Sequence, residues 1–224
     1  MLSSNKKNRR QLALVNIMQT HHIPVTKTAR YHTIGSLNER TEEVWFVIHG
    51  WAQLASEYLM GFTPLDNGKR FIIAPEALNR FYLRVGKPEV GATWMTKEDR
   101  EHEVSDYKAY LNTLYDSFPL GKYNAKIVVL GFSQGVATVS RWVYQNPRKV
   151  DTLIFYAGEP GNELQNPESI ASFDKTKNYF IWGSEDPFIN ELNILKFKDM
   201  LPNFEFVPFE GKHEINSKVL SAIK

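Results

Sequence analysis

The chain has 224 residues, 42% hydrophobic and 23% charged, a soluble-globular composition with room for one α/β domain and little for a large inserted cap. Lys+Arg 27 against Asp+Glu 25 leaves a formal charge of +2, too balanced for a nucleic-acid partner. With Cys 0, disulfides, zinc–thiolate sites and a cysteine nucleophile are excluded, while aromatic residues reach 13%.

The N-terminus carries the basic run Lys6-Lys7-Asn8-Arg9-Arg10 ahead of an apolar stretch from Leu12 to Met18. That stretch is short, holds Asn16 and lacks a small-residue cleavage site behind it, so residues 1–22 read as an N-terminal extension rather than a secretory leader. His21 and His22 have no carboxylate companion nearby in sequence and read as surface residues. No apolar run approaches the ~18 residues that span a bilayer. Stable membrane insertion is therefore not expected, and the expected location is the cytoplasm. Residues 23–224 read as a single domain.

Along that domain, short β-rich runs alternate with helical patterns. The runs are Val44 to Ile48, Arg70 to Ala74, Lys126 to Leu130, Thr152 to Tyr156, Tyr179 to Trp182 and Phe204 to Phe209. Several are apolar at consecutive positions, as in strands buried on both faces of a parallel sheet. Ahead of them Thr26 to Gly35 alternates, which predicts an antiparallel edge strand paired with 43–48 across the turn Asn38 to Thr41. Helices are predicted near 53–61, 97–118, 134–146, 187–200 and 214–223. In the longest, Val104, Tyr107, Leu111, Leu114 and Phe118 form one buried stripe, with Thr96 and Asp99 as a capping signal and Pro119 as the stop. The alternation predicts an α/β fold, a mostly parallel doubly wound sheet with an antiparallel N-terminal edge and no cap domain. Its site belongs at the carboxyl ends of the strands.

One strand runs directly into Gly131-Phe-Ser133-Gln-Gly135, followed by the helical Val136 to Val143. This is G-x-S-x-G in the strand–turn–helix setting that gives the motif its meaning. A serine on so sharp a turn adopts a strained backbone, and the flanking glycines remove side chains that would clash. Ser133 is thus the candidate nucleophile. A general base should follow it, and of the six histidines His213 alone lies downstream, in a glycine-led loop after the last strand. The acid should lie between them. Asp186, in Gly183-Ser-Glu-Asp186 after strand 179–182, is favoured to orient the imidazole, with Glu159 as its competitor. The oxyanion donors are the N–H of Gln134 and that of Trp51, or of Ala52, in the turn after His49-Gly50; Gln53 is a weaker candidate through its side chain. His49 precedes Ser133 and reads as a structural residue.

With the His-Gly turn, GFSQG, GSEDP and GKH in that order, the sequence resembles the α/β-hydrolases of the phospholipase/carboxylesterase group, which includes the small acyl-protein-thioesterase-like serine esterases. The resemblance spans roughly residues 25–224. Val128-Val-Leu-Gly-Phe-Ser-Gln-Gly135 is its most specific part, joined by Ile73-Ala-Pro-Glu-Ala77 and Trp94-Met95. It implies the α/β-hydrolase fold and cofactor-free hydrolysis of small or acyl-chain esters or thioesters through a Ser133 acyl-enzyme. Two departures lie near the expected acyl pocket. The family's Trp-Phe-Asp-like run is Trp94-Met-Thr here, and its HG-x-G loop holds Trp51-Ala52.

Phe81, Trp94 and Met95 lie in the 75–98 loop, beside Tyr82 and Leu83. They are the candidate substrate-binding residues, with a cover for the helix layer as the equal alternative. The acidic run Glu98 to Glu103 suits a helix start, and neither a metal site nor a bound cofactor is expected. Peptidase activity on the same fold, or a catalytically silent binding protein, are the competing readings, and homo-oligomerisation is left open.

Overall fold

The computed structural model describes residues 18–223, so the Lys6–Arg10 run and most of the predicted extension lie outside the described residues. Residues 18–30 have no regular secondary structure. They end on an anchor: the Arg30 guanidinium donates to both carboxylate oxygens of the buried Glu76 at 2.7 and 3.0 Å, and the Arg30 carbonyl accepts from the Glu76 N–H and from Tyr110 Oη. Burial pushes the Glu76 carboxyl up, but the hydrogen bonds from Arg30 and Arg80 outweigh it and hold the group below its ordinary range.

Among the described residues nine strands follow in chain order: β1 (Tyr31–Ile34), β2 (Glu43–Ile48), β3 (Arg70–Pro75), β4 (Asn79–Tyr82), β5 (Val90–Thr93), β6 (Lys126–Phe132), β7 (Thr152–Tyr156), β8 (Lys177–Gly183) and β9 (Phe204–Phe209). The helices among the described residues are α1 (Ala55–Met60), α2 (Arg100–Asp116), α3 (Gln134–Val143), α4 (Pro167–Ala171), α5 (Glu191–Met200) and α6 (Ser217–Ala222). Seven strands form one sheet in the order β1-β3-β2-β6-β7-β8-β9, parallel except for antiparallel β1. Consecutive apolar residues serve both faces: Val44, Phe46 and Ile48 pack into one core layer, Trp45 and Val47 into the other. Downstream of β6 each connection carries a single α-helix, with at most a short 3-10 turn beside it.

Several expectations need correction. The N-terminal edge strand pairs with β3, not with 43–48, its register running Tyr31 opposite Pro75 to Ile34 opposite Ile72. The crossover from β2 through α1 lays β3 parallel beside it, in the position a hairpin would have taken. The 75–98 segment is not a plain loop but holds the β4–β5 hairpin. Helix α2 starts later than position 97, because Asp99 takes a left-handed φ of 51° and its side chain makes no capping bond. That carboxylate instead meets His22, which therefore has the acidic companion its sequence neighbourhood lacks.

Candidate active site

The carboxyl ends of β2, β6, β8 and β9 bring the predicted residues to one edge of the sheet. Between β6 and α3, Ser133 has φ 54° and ψ −119°, a conformation that L-residues rarely hold. Three glycines make the turn sterically feasible. A Cβ on Gly131 would lie 2.3 Å from the Gly135 carbonyl oxygen, one on Gly135 2.3 Å from that of Ile48, and one on Gly158 2.3 Å from that of Ser133 itself. The Ser133 N–H donates to Tyr156 O at 2.9 Å, tying the elbow to β7. Ser133 is half-buried at the N-terminus of α3, whose dipole favours negative charge.

Asp186 and His213 come together from successive loops. His213 Nδ1–H donates to Asp186 Oδ2 at 2.7 Å, and that carboxylate is wholly shielded from solvent. Oδ1 accepts the Phe188 N–H at 2.8 Å, so both carboxylate oxygens are engaged. The loops are stitched through backbone: Ser184 N–H to Phe209 O and Glu185 N–H to Gly211 O, each at 2.8 Å. Gly183 allows the close approach, since a Cβ there would meet the Gly211 and Lys212 carbonyl oxygens at 2.3 and 2.4 Å. The His213 ring lies 4.7 Å from that of Phe132, the residue before Ser133, and Phe188 meets it edge-on at 4.8 Å. Glu159 takes no part in this pair and instead faces Lys196 at 3.3 Å.

The turn after β2 runs beside the elbow, close enough that a Cβ on Gly50 would sit 3.1 Å from Ser133 Cβ. Gln53 Oε1 accepts the Gly50 N–H at 2.8 Å, so its side chain shapes the turn. The Ala52 N–H is spent on Ala92 O at 2.9 Å and drops out as an oxyanion donor; those of Trp51 and Gln134 have no partner among the described residues. The Gln134 side chain spans to the hairpin, bonding Trp94 N–H, Thr93 Oγ1 and Met95 O. Buried His49 donates from Nδ1 to Gly50 O at 2.7 Å and accepts the Ala77 N–H at Nε2. Burial depresses its pKa to about 4, so it stays neutral and structural, as the sequence order suggested.

Residues 51–220 match the model of the family described as "Serine hydrolase (FSH1)". The chain belongs to the FSH1 serine hydrolase family. No curated protein sequence matches it. Its fold is shared with acyl-protein thioesterase 2 from Zea mays at a TM-score of 0.66 and 16% identity, with 87% of this chain and 95% of that one covered. The phospholipase/carboxylesterase from Dyadobacter fermentans DSM 18053 gives 0.60 at 19% identity over 88% and 95%. At these identities the likeness is one of fold. Among the described residues no helix is long and apolar enough to cross a membrane.

In this FSH1-family chain the predicted aromatic wall is only partly at the surface. Trp94 is 2% exposed and donates its indole N–H to His49 O at 2.9 Å, so it belongs to the core under the turn and not to a pocket surface. Met95 is half-buried, its sulfur 3.6 Å from an Arg141 guanidinium nitrogen. Phe81 lies 5.7 Å from the Trp51 ring, which is 62% exposed. Phe188, 70% exposed beside His213, joins this surface without a strong signal in sequence beyond its place two residues after Asp186. A cleft of about 690 Å³ borders Asp186 on the α5 side but reaches neither Ser133 nor His213.

Proposed function

We propose that the protein hydrolyses carboxylic esters or thioesters of small or acyl-chain substrates through a Ser133–His213–Asp186 triad. The observation that carries this reading is the shielded Asp186 carboxylate on His213 Nδ1, with the His213 ring packed on the residue that precedes a strained Ser133. Because Nδ1 donates to Asp186, Nε2 is left as the basic nitrogen. In the proposed sequence Ser133 Oγ attacks the acyl carbon as His213 Nε2 takes its proton, and the imidazolium then protonates the departing alkoxide or thiolate. Water, deprotonated by the same nitrogen, releases the acid from the Ser133 acyl-enzyme. The N–H groups of Trp51 and Gln134 hold the oxyanion. Trp51, Phe81 and Phe188 offer an apolar rim for an acyl chain. A cytoplasmic setting is part of the same reading, since a chain without cysteine requires no oxidising compartment to fold.

The test is labelling by a fluorophosphonate probe together with turnover of p-nitrophenyl esters from acetate to decanoate. The native protein should do both and Ser133→Ala neither. Absence of labelling and turnover in the native protein, or turnover that survives Ser133→Ala, would overturn the proposal.

A further inference from the structure

Away from the candidate active site, three ligand-type side chains converge from distant parts of the sequence. His22 Nε2 lies 3.0 Å from both carboxylate oxygens of Asp99, 77 positions along the chain. The His22 ring packs on that of His102, with centroids 4.0 Å apart and planes 30° from parallel. One ligand atom from each of the three residues falls within 4.8 Å of the others, and all three are exposed. Helix α2 fixes two of them. Asp99 is its N-cap, and the His102 N–H donates to the Asp99 carbonyl at 3.1 Å, so both project from one helical turn. An aspartate at an N-cap ordinarily accepts the amides of the first turn. Here the carboxylate makes no such bond and faces His22.

We propose that His22, Asp99 and His102 bind one divalent transition-metal ion, Zn²⁺ in the first instance, with solvent completing the coordination. Two imidazole nitrogens and one carboxylate oxygen form a borderline donor set that suits zinc and its neighbours and is poor for calcium or magnesium. A zinc tetrahedron with bonds of ~2.1 Å has edges of roughly 3.4 Å. Closing on the ion therefore draws the side chains in by about 1 Å, which exposed rotamers allow. The bound ion clamps the N-terminal segment to the start of α2. It also braces the 95–99 loop, whose Met95 carbonyl is held by Gln134.

Isothermal titration of the tag-free, chelator-stripped full chain with ZnCl₂ tests this, with thermal melting alongside. One Zn²⁺ per chain is expected, with Tm raised by about 5 °C at saturation. His22→Ala, Asp99→Asn and His102→Ala should each weaken binding at least about tenfold, while His21→Ala leaves it unchanged. Circular dichroism establishes that the variants, all at exposed positions, keep the fold. The proposal is overturned if no stoichiometric binding appears, if binding survives the His22→Ala/His102→Ala double substitution, or if His21→Ala removes it as effectively.

Discussion

Asp186 accepts the Nδ1–H of His213 at 2.7 Å while its other oxygen holds the Phe188 N–H at 2.8 Å, so orientation of the imidazole and of the loop beyond it depend on one carboxylate. Asp186→Asn keeps the volume but exchanges an acceptor for a donor and favours the wrong tautomer. A fall in kcat of about 10⁴-fold is expected. Glu159→Gln, which alters only the exposed pair with Lys196, should leave kcat within about twofold. Steady-state kinetics on p-nitrophenyl butyrate separates the two, and a larger loss in Glu159→Gln would reverse the assignment of the acid.

Gly158 supports the elbow from β7. A Cβ at this position would sit 2.3 Å from Ser133 O and 2.9 Å from Val136 Cγ2, so Gly158→Ala must displace the strained turn. Urea denaturation should register about 1–3 kcal/mol of destabilisation. Turnover should fall further than stability implies, by about 10²-fold, since a shift of order 1 Å at the proposed nucleophile is enough. Normal kcat in a destabilised variant would show that the turn relaxes without moving Ser133.

How much of this was legible depended on whether the signal was local. The strand runs, the Gly131–Gly135 elbow and the Asp186 and His213 loops each announce themselves within a few residues, and the chain order of a doubly wound sheet brings them to one edge. The partner of β1 was not local information. Alternation over Thr26 to Gly35 marks an edge strand but does not say which strand it borders, and the β2–β3 crossover decided that. Trp94 reads equally as a pocket wall or as a cover for the helix layer, because what decides between them is its indole acceptor, His49 O, 45 positions away. The meeting of His22 with Asp99 depends on the same kind of long-range closure.

His49 should make stability sensitive to mild acid. Unfolded, its imidazole takes a proton near pH 6.5; folded, burial defers this to about pH 4. Between those values the unfolded state binds more protons, so acid favours unfolding and stability falls as pH drops from 6.5 toward 4. The full difference is on the order of 3 kcal/mol. Glu76, whose folded pKa is lowered, loses its contribution below its ordinary value of 4.5, in a lower window. Urea titrations at pH 7 and pH 5 should show the loss in the native protein. In His49→Asn, less stable throughout, the difference between the two pH values should shrink.

Gln134 separates structure from chemistry at one residue. Its side chain bonds Trp94 N–H, Thr93 Oγ1 and Met95 O, whereas the proposed oxyanion contact uses its backbone N–H. Gln134→Ala removes these bonds and leaves the Trp94 N–H without its acceptor, while Thr93 Oγ1 still donates to Met95 O, and should cost about 1–3 kcal/mol of stability. Fluorophosphonate labelling should persist, because the backbone donor remains. Abolished labelling in a folded Gln134→Ala protein would mean that the side chain, not the main chain, organises the site.

Trp51 tests whether the exposed aromatic rim is a substrate surface. An apolar wall contributes about 0.8 kcal/mol per methylene it covers, so two methylenes against the indole are worth about tenfold in kcat/KM. The native enzyme should therefore prefer decanoate to acetate esters, and Trp51→Ala should reduce that preference about tenfold while leaving acetate turnover within about twofold. The backbone N–H at position 51 survives the substitution, so loss on the long chain alone isolates the side chain. Equal losses on both esters would instead show that the indole, packed 5.7 Å from Phe81, serves to hold the turn that carries the proposed oxyanion donor.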